Sequence, residues 1–218
     1  MHEVIRLSGM NLIIDETDHP LIIKCASIQA TRMPIYFIDN DDLFSKRAIL
    51  RDKEGVEYPD NGERAIFYAR GVLETVKKLR WEPDVIFCQG WMTALAPLYL
   101  KKEYADEPWF REAKVVYSFS GKDFANNWGE NYSTSAALGE ATKEDIDEVC
   151  QGKYTQDEII KLAAKYSDGV IYEDNACSDE VRQYIDSLGI LTLQRPEPKD
   201  EYHAACINFF DEVYSQGK

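Results

Sequence analysis

The stretch PDVIFCQGWMTALAPLYL, residues 83–100, sets chemistry-bearing side chains where α/β proteins hold ligands. An apolar run ends at Gln89-Gly90, and Trp91 opens a helical pattern. Ligands of open α/β sheets bind beyond the carboxyl ends of strands. Gln89 can donate and accept hydrogen bonds, but it carries no charge at neutral pH. Trp91 suits two roles, a stacking face or an indole that seals helix against sheet. Trp81, Trp109 and Trp128, with 13 tyrosines, offer further sugar-stacking faces, although most such rings pack in cores or at rims.

Other combinations carry less. His203 and Cys206 are three apart on a helical pattern and share a face. A metal site needs three or four ligands, and no others lie nearby in sequence, so the pair reads as a solvated His and a core Cys. The acidic run Asp39-Asn40-Asp41-Asp42 reads as a solvated turn, because Asp and Asn bond their own backbone there. Neither G-x-G-x-x-G nor G-x-x-x-x-G-K-[ST] occurs, so dinucleotide and P-loop chemistry lack local support.

The 218 residues hold 39 Asp+Glu against 25 Lys+Arg, a formal net charge of -14. Such a surface repels phosphate backbones and anionic membranes, which argues against nucleic-acid and membrane partners. Five scattered cysteines, one of them (Cys88) inside an apolar strand, fit reduced thiols in a cytoplasm. The first ten residues lack a signal-type apolar region, and no run approaches the ~18 apolar residues of a membrane span.

These candidates need a frame. EVIRLSG, NLIID and PLIIKCASI read as strands of an N-terminal hairpin or meander. Met33–Asp39 reads as another strand. Residues 60–79 carry Ala65, Ile66, Ala69, Val72, Leu73 and Val76 at helical spacing, with a capping box expected from Asp60 and Glu63. Residues 91–102 predict a helix kinked at Pro97. Lys114–Phe119 is a strand, and residues 120–145 read as a long functional or disordered loop. Thr155 and Ser178 are expected helix caps, Gly189 a helix stop, DGVIY and ILTL strands, and residues 200–215 a closing helix. Alternation from about Pro34 onward predicts an α/β chain, a Rossmann-like, mostly parallel sheet with helices on both faces. One domain over 1–218 is expected.

YFIDNDDLF (36–44), the run from Gly55 to Lys101 and SDGVIY (167–172) resemble, in order and spacing, the acceptor-side N-terminal domain of bacterial glycogen synthases and plant starch synthases. The resemblance is clearest over 34–180. It implies one half of a GT-B arrangement, whose family transfers glucose with retention from ADP-glucose to an α-1,4-glucan. Where the family has H-x-H-D-W, this chain has Phe87-Cys88-Gln89-Gly90-Trp91, so Gly90 replaces an acid. Where it has T-[IV]-H-N, this chain has Ser118-Phe119-Ser120-Gly121, so Ser120 replaces a histidine. The chain is expected to begin after the family's first strand and its Lys-x-Gly-Gly-Leu loop, and to lack the nucleotide-sugar-binding domain. The resemblance thus implies a glucan- or partner-binding chain without catalysis of its own. Its expected sugar contacts are Gln89, Gly90, Trp91, Ser120, Tyr58 and Asn61, with no catalytic residue, metal or cofactor. A protein partner or a homo-oligomer fits the same reading. The alternatives are an enzyme half completed by another chain, and a start upstream of Met1.

Overall fold

Apolar residues alternating with polar ones build an antiparallel meander at the N-terminus. The computed structural model describes residues 5–46, 48–197 and 201–216. Strands β1 (Ile5–Ile14), β2 (Thr17–Ile28) and β3 (Met33–Asp39) pair in the order β1-β2-β3. Of the two expected strands EVIRLSG and NLIID, Glu3 and Val4 lie outside the described residues, and Ile5–Ile14 forms one strand, with a bulge between Arg6 and Ser8 taking up the irregularity. Alternation buries Leu12, Ile14, Leu21 and Ile23 and leaves Ile13, Ile35 and Phe37 exposed. Met33–Asp39 does not begin the parallel sheet as expected. Its four-residue link to β2 permits only an antiparallel return, and Ile38 pairs with Ile23.

The acidic turn after β3 is a short helix, α1 (Asp41–Phe44). Asn40 caps it, accepting from the backbone N–H groups of Asp42 and Leu43 at 2.9 Å each. Helix α2 (Asn61–Leu79) follows the expected spacing and buries Ala65, Ile66, Ala69 and Leu73. Its expected capping box does not form, because the Asp60 carboxylate is drawn instead to Lys46. The helix stops at Arg80, in the left-handed region at φ 55°.

Strands β4 (Val85–Gln89), β5 (Lys114–Phe119), β6 (Gly169–Tyr172) and β7 (Leu191–Gln194) form a parallel sheet in chain order. The expected continuous helix after β4 divides into a 3-10 turn, Trp91–Thr93, and α3 (Ala96–Lys101). Pro97 lies in the first turn of α3 and kinks nothing, since its missing N–H would have no partner there. The expected long loop contains α4 (Tyr132–Ala136) and the start of α5 (Lys143–Cys150), which opens with a Thr142–Asp145 capping box. Helix α6 (Gln156–Lys165) lacks the expected cap, because the Thr155 hydroxyl turns to Glu158. Ser178 caps α7 (Asp179–Leu188), and Gly189 ends it at φ 66°. Helix α8 (Tyr202–Ser215) closes the described chain. No described helix is long and apolar enough to cross a membrane.

Helices cover both faces of the parallel sheet, as the alternation of strands and helices predicted. Cys206, Phe209 and Val213 of α8 pack on Val116 and Ile171. On the other face Val115, Tyr117, Phe119 and Val170 join the main core with α2, α3 and α6. That core reaches the meander through Leu12, Ile14, Leu21 and Ile23.

Arg70 ties these parts together from the middle of α2. It is 4% exposed. Nη1 donates to the Ile13 carbonyl at 2.9 Å, and Nη2 to the Ser135, Ala136 and Ala137 carbonyls at 3.0, 3.3 and 2.8 Å. Replacing it orphans buried acceptors in β1 and at the end of α4. Arg70→Met is expected to lower the unfolding free energy by about 2–4 kcal/mol, read as an earlier urea midpoint at unchanged slope. Arg70→Lys should recover only part of that loss, because an ammonium lacks the planar fork. An unchanged midpoint for Arg70→Met would contradict the role.

Candidate functional site

The parallel strands end at Gln89, Phe119, Tyr172 and Gln194, and the next residues form the floor of the site. Backbone bonds carry the ladder one step on. Gly90 N–H donates to the Ser118 carbonyl at 2.9 Å, Glu173 N–H to Phe119 at 3.0 Å, and Arg195 N–H to Tyr172 at 2.9 Å. The sheet therefore sets Gly90, Ser120, Glu173 and Arg195 at successive strand ends, in the order β4 to β7.

Glu173 is the hub. Its carboxylate accepts from Ser118 Oγ at 3.0 Å, Tyr202 OH at 2.6 Å, Arg195 Nη1 at 2.8 Å and, at 3.4 Å, Gln89 Nε2. Burial, then the Glu173 carboxylate, pushes the Tyr202 hydroxyl well above its ordinary pKa, so it stays a donor. Arg195 also stacks on Tyr202, 4.4 Å from the ring centroid. The hub fastens α8 to the strand ends and uses the charge of Arg195 in doing so.

Ser120 faces a second acid. Its hydroxyl donates to Asp174 Oδ2 at 2.6 Å, while Gly121 and Ala176 N–H groups donate to Oδ1 at 3.1 and 2.9 Å. Burial works against ionisation of Asp174, but these three donors outweigh it and hold its pKa below the usual value. Gly121 is required here, because a Cβ would lie 2.2 Å from the backbone nitrogen of Cys177. Asp123, half-buried in the same loop, is pushed up to about 6 by burial and by the Asp174 charge.

Gln89, Gly90 and Ser120 thus lie together at the strand ends. Trp91 lies beneath them, 8% exposed, packed edge-on against Phe124 and Trp128 at 6.5 and 5.9 Å. Its ring seals the 3-10 turn against the core and offers no open face. Tyr58 and Asn61 line a different cleft, of about 410 Å³, with Trp128. Asn61 is 1% exposed, and its amide is engaged by the Leu50 carbonyl and Arg64. The Tyr58 ring is half-buried, with Lys46 and Arg64 near its face at 5.4 and 5.5 Å.

Cys88 is buried, and burial raises its thiol to about 12, so it packs and does not react. His203 is exposed and Cys206 buried on α8. Among the described residues no group of three His, Cys, Asp or Glu is gathered for a metal. Sequence reasoning missed Glu173, Asp174 and Asp123. The available signal was an Glu-Asp pair directly after a strand, the position where acids reach a strand-end site.

The raised pKa of Asp123 makes a pH prediction. Folded protein keeps a proton that the unfolded chain has released between about pH 4 and pH 6, so stability from this group falls as pH rises through that window. Asn mimics the protonated form. The stability gain of Asp123→Asn is expected to be about 1–2 kcal/mol larger at pH 7 than at pH 4, after allowance for solvent screening of a half-buried group. Thermal melts at both pH values check this, and an equal difference at both would refute it.

Residues 1–192 match the family model of the starch synthase catalytic domain. The glycogen synthase of Pelodictyon phaeoclathratiforme is 33% identical over 119 residues, 54% of this chain and 24% of that protein. That of Geotalea daltonii is 41% identical over 86 residues, 39% of this chain and 18% of that protein. The catalytic domain of starch synthase IV from Arabidopsis thaliana, solved bound to ADP and acarbose, superposes with a TM-score of 0.70 at 13% identity. That superposition covers 91% of this chain and 42% of the other, and at such identity it speaks to fold. The chain spans about a quarter of the length of the curated relatives it matches. With the family match running through residues 1–192 of 218, the chain belongs to the starch synthase catalytic domain family.

Proposed function

We propose that this chain acts as one acceptor-type domain that binds α-glucan and does not transfer glucose by itself. The observation that supports this is the chemistry at the strand ends. Gln89, Gly90 and Ser120 are neutral, and the charged groups beside them are already engaged with one another. Glucosyl transfer needs positive charge or strong donors on the departing diphosphate, usually the largest catalytic contribution. Arg195, the cation of this hub, is bonded to Glu173 and stacked on Tyr202. Binding a sugar asks less. The Gln89 amide and Ser120 hydroxyl can contact hydroxyls, Gly90 lets a ligand approach the backbone, and Tyr58 offers a ring. Asn61 and Trp91 act by position, holding the surfaces around these groups. Free thiols at all five cysteines support a cytoplasmic setting.

A second reading, an enzyme half completed by another polypeptide, draws on exposed apolar surface. Met33, Ile35 and Phe37 are 53%, 39% and 42% exposed on the meander, and Phe87 is 39% exposed on the edge strand β4. Unpaired strand edges and apolar patches invite cover.

Radiolabelled ADP-glucose offered with glycogen tests the main reading, with a full-length family member as positive control. The expected result is no incorporation above blank. Robust incorporation by the chain alone would overturn the proposal. Incorporation only after adding a partner polypeptide, with co-elution in gel filtration, would favour the second reading. Gly90→Asp is expected to restore nothing. Gly90 sits at φ 76°, ψ 178°, a glycine-only conformation, so the variant should also lose about 1–3 kcal/mol of stability in a urea titration.

A further inference from the structure

One part of this strongly acidic chain has no acid. Ile5–Ile14 and residues 19–38 hold Arg6, Lys24 and Arg32 and no Asp or Glu, whereas the whole chain has 39 acids and a net charge of -14. These residues make up most of the antiparallel meander. Register sets Arg6 opposite Lys24, and Lys24 opposite Phe37, in one row. The next rows on that face are Ala26 with Ile35 and Ile28 with Met33. The other face, with Leu21 and Ile38, packs on α2 at Gly71, where a Cβ would lie 2.9 Å from Ile38. The outer face is left to solvent, with Ile28, Met33, Ile35 and Phe37 all exposed. We propose that this outer face docks a short acidic and apolar segment of another protein. Its carboxylates meet Arg6, and its aliphatic side chains lie on Ile35 and Phe37. The proposal is independent of what the strand ends bind.

Charge selects the occupant first. The Arg6 guanidinium reaches over Gly9, where a Cβ would lie 3.2 Å from Nη2. It lines an open cleft of about 520 Å³ with Asn11, Pro20 and Ile22. It has no hydrogen-bond or ion-pair partner among the described residues. Asp39, opposite Ile22 in register, is already paired with Lys24. A carboxylate is therefore the group this corner lacks, and a guanidinium takes one through two parallel hydrogen bonds.

Size selects next. Met33 to Phe37 span about 13 Å along β3, and the three strands span about 10 Å across. That is room for one extended segment, far short of the ~800 Å² per partner of a stable globular interface. Two-fold pairing of the patch with a second copy would also set cations against cations. Screening decides between a peptide and a bilayer. The Debye length at physiological salt is about 8 Å, so a short segment responds to the local cations and not to the whole chain. An anionic bilayer presents a plane, which also meets the exposed Asp15, Glu16 and Asp18 at the far end of the meander.

Calorimetric titration of the whole chain with a capped decapeptide of alternating Glu and Leu tests the face. Arg6→Glu and Phe37→Ser are each expected to weaken binding by roughly fivefold or more. Both side chains are exposed, and either variant keeps the test open if the other fails to fold. Raising sodium chloride to ~0.5 M should weaken binding as well. A capped decapeptide of alternating Lys and Leu should not bind. Absence of binding by the acidic peptide, or binding that both variants leave unchanged, would overturn the proposal. Equal or tighter binding of the basic peptide would do the same. Co-sedimentation with phosphatidylserine–phosphatidylcholine vesicles, lost in both variants, would make the face a bilayer contact and overturn it. A dimer in sedimentation equilibrium that Phe37→Ser dissolves would give the face to a second copy, with the same consequence.

Discussion

A buried guanidinium in the middle of α2 sets the relation between the meander, the long helix and the helices beyond β5. Arg70 reaches one carbonyl in β1 and three in the last turn of α4 and just past it. Taking a charge out of water is costly, and here the cost is offset by carbonyl dipoles that would otherwise lack partners. Tyr99 adds a donor to the Ala136 carbonyl at 2.7 Å, and the Arg70 guanidinium lies 5.7 Å from that ring. A five-residue helix has no stability of its own. Helix α4 exists because its terminal acceptors are satisfied from α2 and α3.

The placement of α4 carries consequences outward. Ser135 Oγ donates to Asp15 at 2.6 Å, which fixes the β1–β2 turn. Tyr154 OH donates to Asp147 Oδ1 at 2.6 Å and accepts from Ser133 Oγ at 2.7 Å, which braces α4 against α5. Tyr132, the first residue of α4, supports Trp128, and Trp128 packs in turn against Trp91 under the strand ends. A chain of rings and hydrogen bonds therefore runs from the core arginine to the candidate site at the strand ends. Glu173 plays the matching part on the other sheet face, where it collects donors from β4, β5, α8 and the residue after β7.

Periodicity made much of this legible. The spacing in α2 and the apolar runs of β4 to β7 appear in the sequence because burial of one face or of both demands them. Partnership does not appear there. Met33–Asp39 reads as a strand in either sheet, and only its short link to β2 decides. Residues 132–136 lack an apolar repeat long enough to read as a helix, since distant carbonyl partners make α4. Asp60 matched a capping box, yet an ion pair with Lys46 took its carboxylate. At the site, Gln89, Gly90 and Ser120 could be placed from their position after apolar strands. The burial of Trp91 could not, because it depends on Phe124 and Trp128, far along the chain. Glu173 and Asp174 were hidden in a run that also reads as a solvated turn.

Gly90 sets the backbone of the first strand-end turn as well as leaving it uncharged. The residue occupies a conformation that side-chain-bearing residues avoid, and its N–H is bonded to Ser118. Gly121 lets the loops after β5 and β6 approach at a separation no Cβ would allow. Both strand-end turns are therefore shaped around missing side chains. The hub's cation, Arg195, is turned onto Glu173 and Tyr202, and Asp174 onto three donors of its own neighbourhood. Charge at these strand ends thus serves cohesion within the fold. A surface whose charges are internally compensated keeps its free hydrogen-bonding capacity in amides, hydroxyls and rings, which is the chemistry suited to an uncharged sugar and poorly suited to a departing diphosphate.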